Sequence, residues 1–245
     1  MHTLLVIFAG ILGLIVGSFL NVVILRMNTG KGFGGRSMCL SCNRTLKWYE
    51  LIPVVSFLIQ RGKCRKCHSK ISWQYPLVEI ITGILFGGVL VFITNPFQII
   101  IWLILVSLGM VISVYDIRHK TISLYLLVAF AIVGLFTGVH ILGALAVMAP
   151  FLILWLVSKG KWIGFGDVEI MAVTGLMLGI ARGYSAVIVS FWLACLVMVP
   201  VVLYLRHKKR AHDPQIPFGP FLFFGLYLVG VTGFNLFSFI TKVVQ

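Results

Sequence analysis

Apolar residues in this chain do not alternate with polar ones; they run on. Long uncharged stretches are separated by short basic segments, a pattern of bilayer spans rather than of half-buried strands or amphipathic surface helices. A hydrocarbon core of about 30 Å needs roughly 20 apolar residues per helix. Eight spans are predicted on that basis, at 4–25, 77–94, 97–115, 122–139, 141–157, 168–180, 184–205 and 217–240. The first lacks a basic leading segment and is longer than the apolar part of a secretory signal, so it is expected to be a retained helix. The sixth has only about 13 residues and is too short to cross unaided. The Gly164-Phe165-Gly166 turn before it is therefore expected to dip to membrane depth, which irregular backbone tolerates only inside protein or against a wet cavity.

Composition agrees with that picture. The 245 residues are 60% hydrophobic and 11% charged, with mean hydropathy +1.08, where soluble domains carry about 25% charged residues. A net charge of +14 would suggest nucleic acid in a soluble chain, but here the Lys and Arg positions follow topology. Segment 26–76 holds Arg26, Lys31, Arg36, Arg44, Lys47, Arg61, Lys63, Arg65, Lys66 and Lys70. The same face receives Arg118, Lys120, Lys159, Lys161, Arg206, Lys208, Lys209 and Arg210, whereas the opposite face has Arg182 and Lys242. Such a split places segment 26–76 in the cytoplasm, with both termini outside. The basic excess is thus a topology device that also meets membrane lipids, and no nucleic-acid partner is expected. The expected organisation is a first transmembrane helix at 1–25, a cytoplasmic module at 26–76 and a transmembrane domain at 77–245.

The module contains Cys39-Leu-Ser-Cys42 and Cys64-Arg-Lys-Cys67, with 21 residues between the pairs. Two CxxC hairpins can close a tetrahedral shell of four thiolates around zinc, leaving no position open for catalysis. A segment of about 50 residues with few large apolar side chains gains folding energy from such a metal. Disulfides are disfavoured in a reducing cytoplasm. Four thiolates and one divalent ion carry a charge of about −2, and Arg44, Lys63, Arg65 and Lys66 lie close in sequence to offset it. His68, beside the second pair, is expected to be a solvated neighbour rather than a ligand. Cys195, alone in an apolar span, is expected to be a small buried hydrophobe.

Six acidic residues exist: Glu50, Glu79, Asp116, Asp167, Glu169 and Asp213. Ionisable groups at membrane depth are costly and mark candidate function. Asp116 ends the third span and Asp167 opens the sixth, so the alternation of spans brings both to the cytoplasmic rim. Two carboxyls in a pocket of low dielectric tend to share a proton, a state suited to peptide hydrolysis in which one activates water and the other donates. An alternative stays open on spacing alone: Asp116 pairs with Arg118 or Lys120, and Asp167 caps its helix. Gly164 and Gly166 would allow close approach of a substrate backbone. Glu169, on a different side of its helix, and Glu79, facing Arg26 or another rim cation, are expected to play supporting parts. His119 is expected to be interfacial.

These residues together resemble the bacterial prepilin peptidases, or type IV leader peptidases, which are membrane aspartic proteases of the GxGD class. The resemblance covers nearly the whole chain. It is carried by Gly17-Ser-Phe-Leu-Asn21-Val-Val-Ile-Leu-Arg26, both CxxC pairs, Glu50-Leu-Ile-Pro53-Val-Val-Ser56, Ile71-Ser-Trp-Gln-Tyr75-Pro76-Leu-Val-Glu79, Asp116, Gly164-Phe-Gly-Asp167-Val-Glu-Ile-Met171 and Ile216-Pro217-Phe-Gly219-Pro220-Phe. GxGD by itself is shared with presenilin-like intramembrane proteases; the cysteine module points to the bacterial branch. The resemblance implies an all-α polytopic membrane fold with catalytic Asp116 and Asp167. The implied substrates are type IV prepilins and pilin-like proteins, whose short basic leader is cut from a hydrophobic helix. Some members also methylate the new N-terminus with S-adenosylmethionine, and that activity enters through resemblance alone. Thr121-Ile122-Ser123 departs from the Ile-Pro the family often places after its first aspartate, and Glu169 stands where Lys is frequent. Both aspartates remain in place. Two other classes compete: a zinc-anchored, non-enzymatic assembly factor for a pilus or secretion system, and a transporter, which would favour acids spread through the bilayer depth.

Overall fold

The computed structural model describes residues 2–27, 32, 34–207 and 217–244. Lys31, Lys208, Lys209, Arg210, Asp213 and Ile216 lie outside them. Helices account for the fold, with isolated bridges but no strand among the described residues. Two compact units divide the chain, 1–94 and 95–245.

In the first unit, α1 (His2–Arg26) packs along α3 (Gln74–Phe92), and the cysteine module lies between them in sequence. Both helices are apolar nearly all round, so packing relies on close approach rather than on an amphipathic stripe. A Cβ on Gly13 would sit 2.7 Å from the Gly83 Cα, and one on Gly17 would sit 2.8 Å from the Glu79 Cα. The module has a short 3-10 turn at Trp48–Leu51 and a single helical turn, α2 (Val55–Ile59). Its apolar interior is small, centred on buried Phe57 against Trp73 at 4.9 Å.

The second unit begins with α4 (Pro96–His119), whose start is fixed by sequence. Asn95 Oδ1 accepts the Phe97 and Gln98 N–H groups at 2.9 and 3.3 Å, and Pro96 occupies the first turn, a cap worth about 1 kcal/mol. Lys120 ends α4 in the left-handed region, φ 55°. Then follow α5 (Leu124–Gly134), α6 (Ile141–Ser158), α7 (Phe165–His207), α8 (Gly219–Thr232) and α9 (Leu236–Val244). Close approach recurs, Gly143 of α6 meeting Gly175 of α7 and Gly225 of α8 meeting Ser190 of α7.

Five of the described helices, α1, α3, α4, α6 and α7, are long and apolar enough to cross a membrane, and the protein is a multi-pass membrane protein. Their outward faces are greasy; Phe8 is 67% exposed and Leu196 75%. Three expected spans come out differently. The fourth is an eleven-residue helix, α5. The sixth and seventh form one helical run broken at Gly179, whose φ of 76° and ψ of −175° suit glycine, so the expected outer loop shrinks to a kink. The eighth is divided at Gly233, φ 69°, into α8 and α9. Hydropathy registers how long an apolar run is but not a backbone reversal that keeps the run apolar. For the same reason Cys195, expected to be buried, is exposed on the outer side of α7.

Candidate active site and metal centre

The two CxxC hairpins fold alike. Cys39 N–H donates to the Arg44 carbonyl and Cys64 N–H to the Ser69 carbonyl, both at 2.9 Å. Asn43 and His68, each just after the second cysteine of its pair, donate back to Cys39 and Cys64 carbonyls and take positive φ, 52° and 55°. Such knuckles turn both sulfurs of a pair the same way. All four sulfurs lie within 4.8 Å of one another. The Cys39 and Cys67 Sγ atoms are 3.8 Å apart, close to the edge of a zinc–thiolate tetrahedron with bonds of about 2.3 Å. These four residues could hold one metal ion, and His68 stands apart, exposed.

Electrostatics favour a cation there. N–H groups of Cys42 and Ser41, with help from Ser69, lower the Cys39 thiol to about 6. Cys42 is pushed up to about 11: the Arg44 N–H lowers it, but desolvation and the neighbouring thiols outweigh that donor. Four thiols this close cannot all ionise without a positive ion between them.

Glu50 belongs to this centre, which sequence reasoning had not assigned it. Its carboxylate has no exposed surface and pairs with Arg44 at 2.6 Å, with Arg65 at 3.9 Å and with the Lys47 N–H at 2.9 Å. The signal in sequence was an acid within a segment otherwise rich in Lys and Arg. Glu79, buried on α3, accepts the Val54 N–H at 2.7 Å, while Arg26 donates to the Gly32 carbonyl at 2.9 Å and to that of Gly34. Glu79 therefore ties α3 to the module, a structural support from within the first unit.

In the second unit Asp116 lies in the last turn of α4, 6% exposed. Its Oδ2 accepts the Gly219 N–H at 3.1 Å, at the first turn of α8. A helix N-terminus offers unpaired N–H groups and positive potential to a carboxylate. Asp167 stands in the first turn of α7, where its N–H donates to the Gly164 carbonyl at 3.2 Å and the helix N-terminus favours a carboxylate. Arg118, Lys120 and His119 are exposed, and His119 stacks on Tyr115 with centroids 4.3 Å apart.

The two carboxyls, 51 positions apart, lie within electrostatic range of each other. Close packing holds the loops that carry them. A Cβ on Gly219 would meet Asp116 Oδ2 at 2.7 Å, and one on Gly166 would meet the Ile122 side chain at 2.8 Å. Ile122, within the segment that departs from the family pattern, is accordingly a contact of the GxGD loop that sequence alone did not reveal. Gly164 leaves room beside Asp167, its would-be Cβ falling 3.4 Å from Oδ2. Glu169 instead faces a cavity of about 390 Å³ among apolar residues of α5, α6 and α7.

Fold and site define a polytopic helical membrane protein with two acids gathered at helix N-termini and a separate four-cysteine centre. Residues 11–93 match the model of the bacterial peptidase A24 N-terminal domain, and residues 99–203 match that of the type IV leader peptidase family. A prepilin leader peptidase/N-methyltransferase of Bacillus subtilis (strain 168) is 31% identical, over 95% of this chain and 96% of its own. Enzymes of the same name from Pectobacterium carotovorum subsp. carotovorum and Neisseria gonorrhoeae are 33% and 32% identical, covering 93% and 87% of this chain and 93% and 86% of theirs. The chain belongs to the type IV leader peptidase family. No solved structure matches it.

Proposed function

We propose that the protein is a membrane aspartic endopeptidase that removes the short basic leader of type IV prepilins and pilin-like proteins at the cytoplasmic face of the inner membrane. The observation that carries this reading is that Asp116, held by the Gly219 N–H, and Asp167, in the first turn of α7, lie within electrostatic range of each other. In the chemistry we assign, one carboxylate takes a proton from water as its oxygen attacks the scissile carbonyl. The protonated partner gives its proton to the leaving amine as the C–N bond breaks, and the pair returns to a shared-proton state. Gly164 leaves backbone space for the peptide beside Asp167. The excess of Lys and Arg on one side of the predicted spans supports a cytoplasmic placement of both acids, where a basic leader meets its apolar helix.

The four cysteines suit zinc, which supplies cross-linking and folding energy through a closed shell and takes no part in hydrolysis. Anionic lipids are expected around the basic segments. The names of the relatives support N-methylation of the new N-terminus, with S-adenosylmethionine as methyl donor. Neither described cavity is built for that donor: both are lined almost wholly by apolar side chains, with His140 or Glu169 as the polar exception. Co-expression with a prepilin, followed by mass spectrometry of its N-terminus, tests both activities; an unprocessed substrate beside active relatives would reject the protease reading.

A further inference from the structure

One carboxylate in the cysteine module reaches both knuckles. The Glu50 side chain is fully buried; its Oε1 accepts Arg44 Nη2 at 2.6 Å and lies 3.9 Å from Arg65 Nε, and its Oε2 accepts the Lys47 N–H at 2.9 Å. Arg44 follows the first cysteine pair, and Arg65 lies within the second. Arg44 does more than neutralise Glu50, because it also lies within electrostatic range of the Cys64 sulfur. Cys64 is the buried member of the four, 4% exposed, so the negative charge on its sulfur has the least help from water. Arg65 rests over the Tyr49 ring at 5.1 Å, next to Glu50 in sequence.

We propose that Glu50 is a positioning residue for the metal centre: it holds Arg44, beside the first knuckle, and Arg65, within the second, so that the two knuckles remain registered around one ion. The inference rests on the zinc reading of the four cysteines. A four-thiolate zinc centre carries about −2, which the guanidinium of Arg44, anchored on Glu50, helps to offset. Partners outside the ligand shell hold ligands in orientation and offset their charge, and their loss typically costs about 10–100-fold in metal affinity. Glu50 has the position for that role although it cannot itself be a ligand, since the sulfurs close the shell.

The test measures metal affinity of detergent-purified full-length protein by competition against a chromogenic zinc chelator, with cobalt(II) absorption reporting how many thiolates bind. Wild type should bind one ion with a four-thiolate cobalt spectrum. Glu50→Gln should keep that spectrum while binding zinc about 10–100-fold more weakly. Arg44→Lys should weaken binding by at least about tenfold, because it keeps the charge but loses the guanidinium's pairing with Glu50. Arg65→Gln, removing a partner that is longer and half exposed, should change affinity less than either. Exchanging the charges, Glu50→Arg with Arg44→Glu, should not restore affinity, since an acid would then face Cys64. Wild-type affinity in Glu50→Gln overturns the proposal. If that variant fails to fold, Arg44→Lys decides the matter, and wild-type affinity there overturns it equally. A wild-type protein without a four-thiolate centre would instead reject the zinc reading on which the inference stands.

Discussion

In the cysteine module, like-charged groups are gathered by two short hairpins of matching geometry, each setting its own pair of sulfurs through hydrogen bonds four or five residues apart. The carboxyl pair is gathered differently: Asp116 and Asp167 stand on α4 and α7, and the backbone that holds Asp116 comes from Gly219, 103 positions later. Local turns supply the first centre, and helix packing supplies the second. The chemical consequence differs as well. Four thiols call for a cation, which closes them to substrate, whereas two acids can divide one proton and remain open to water and a peptide. A site that must react is therefore left to tertiary packing, which can keep a gap that a closed ligand shell cannot.

Asparagine at either acid should break the comparison most severely. Asp116→Asn and Asp167→Asn should each lower leader removal by at least about 10³-fold, as expected on losing an acid–base group, with zinc content unchanged. Mass spectrometry of the substrate and metal analysis of the same purified sample check both halves; cleavage by either variant at near wild-type rate would refute the catalytic assignment. The pH–rate profile of wild type should give two apparent values that belong to the pair rather than to one residue.

Gly219→Ala comes next. Its Cβ would fall 2.7 Å from Asp116 Oδ2, so the acid or the start of α8 must move, and misplacement of about 1 Å can cost about 10²-fold in rate. Single-turnover cleavage at saturating substrate measures that loss, and zinc binding should not change.

Replacing Cys39 and Cys42 together by Ser should remove zinc, about one per chain, while reducing single-turnover hydrolysis far less than the aspartate variants do. A rate as low as that of Asp167→Asn in folded protein, restored only with zinc at a re-formed site, would show that the metal takes part in hydrolysis.

The smallest effect concerns pH. Zinc affinity should fall as pH falls from 8 to 5 because protons compete for the thiolates. Desolvation opposes the charge of Glu50, but Arg44, the Lys47 N–H and Arg65 outweigh it and hold its carboxyl below the ordinary 4.5. A lowered value in the folded state means a contribution that is full above 4.5 and lost as pH drops through the lowered value. The affinity gap between wild type and Glu50→Gln should thus stay constant from pH 8 to 5 and close only below. A gap already closing at pH 6 would mean that Glu50 is not held by its arginines.

Some of this protein was legible before any coordinates. Apolar runs announce membrane helices because burial in lipid requires length and apolarity whatever the partner, and CxxC pairs announce a metal centre because their geometry is local. The placement of Asn95 and Pro96 marks the start of α4 for the same reason. Tertiary structure decided what depends on distant partners. The break at Gly179, the division at Gly233 and the outward face of Cys195 all lie inside uniformly apolar sequence, where no change of pattern marks them. Ile122 against Gly166, Gly219 beneath Asp116 and Arg44 against Glu50 are contacts across loops or between helices. Sequence could name the acids and cysteines because their chemistry is carried by residue type. It could not give the N–H groups and guanidinium that hold them, since a backbone donor is present at almost every residue and only packing selects which one arrives.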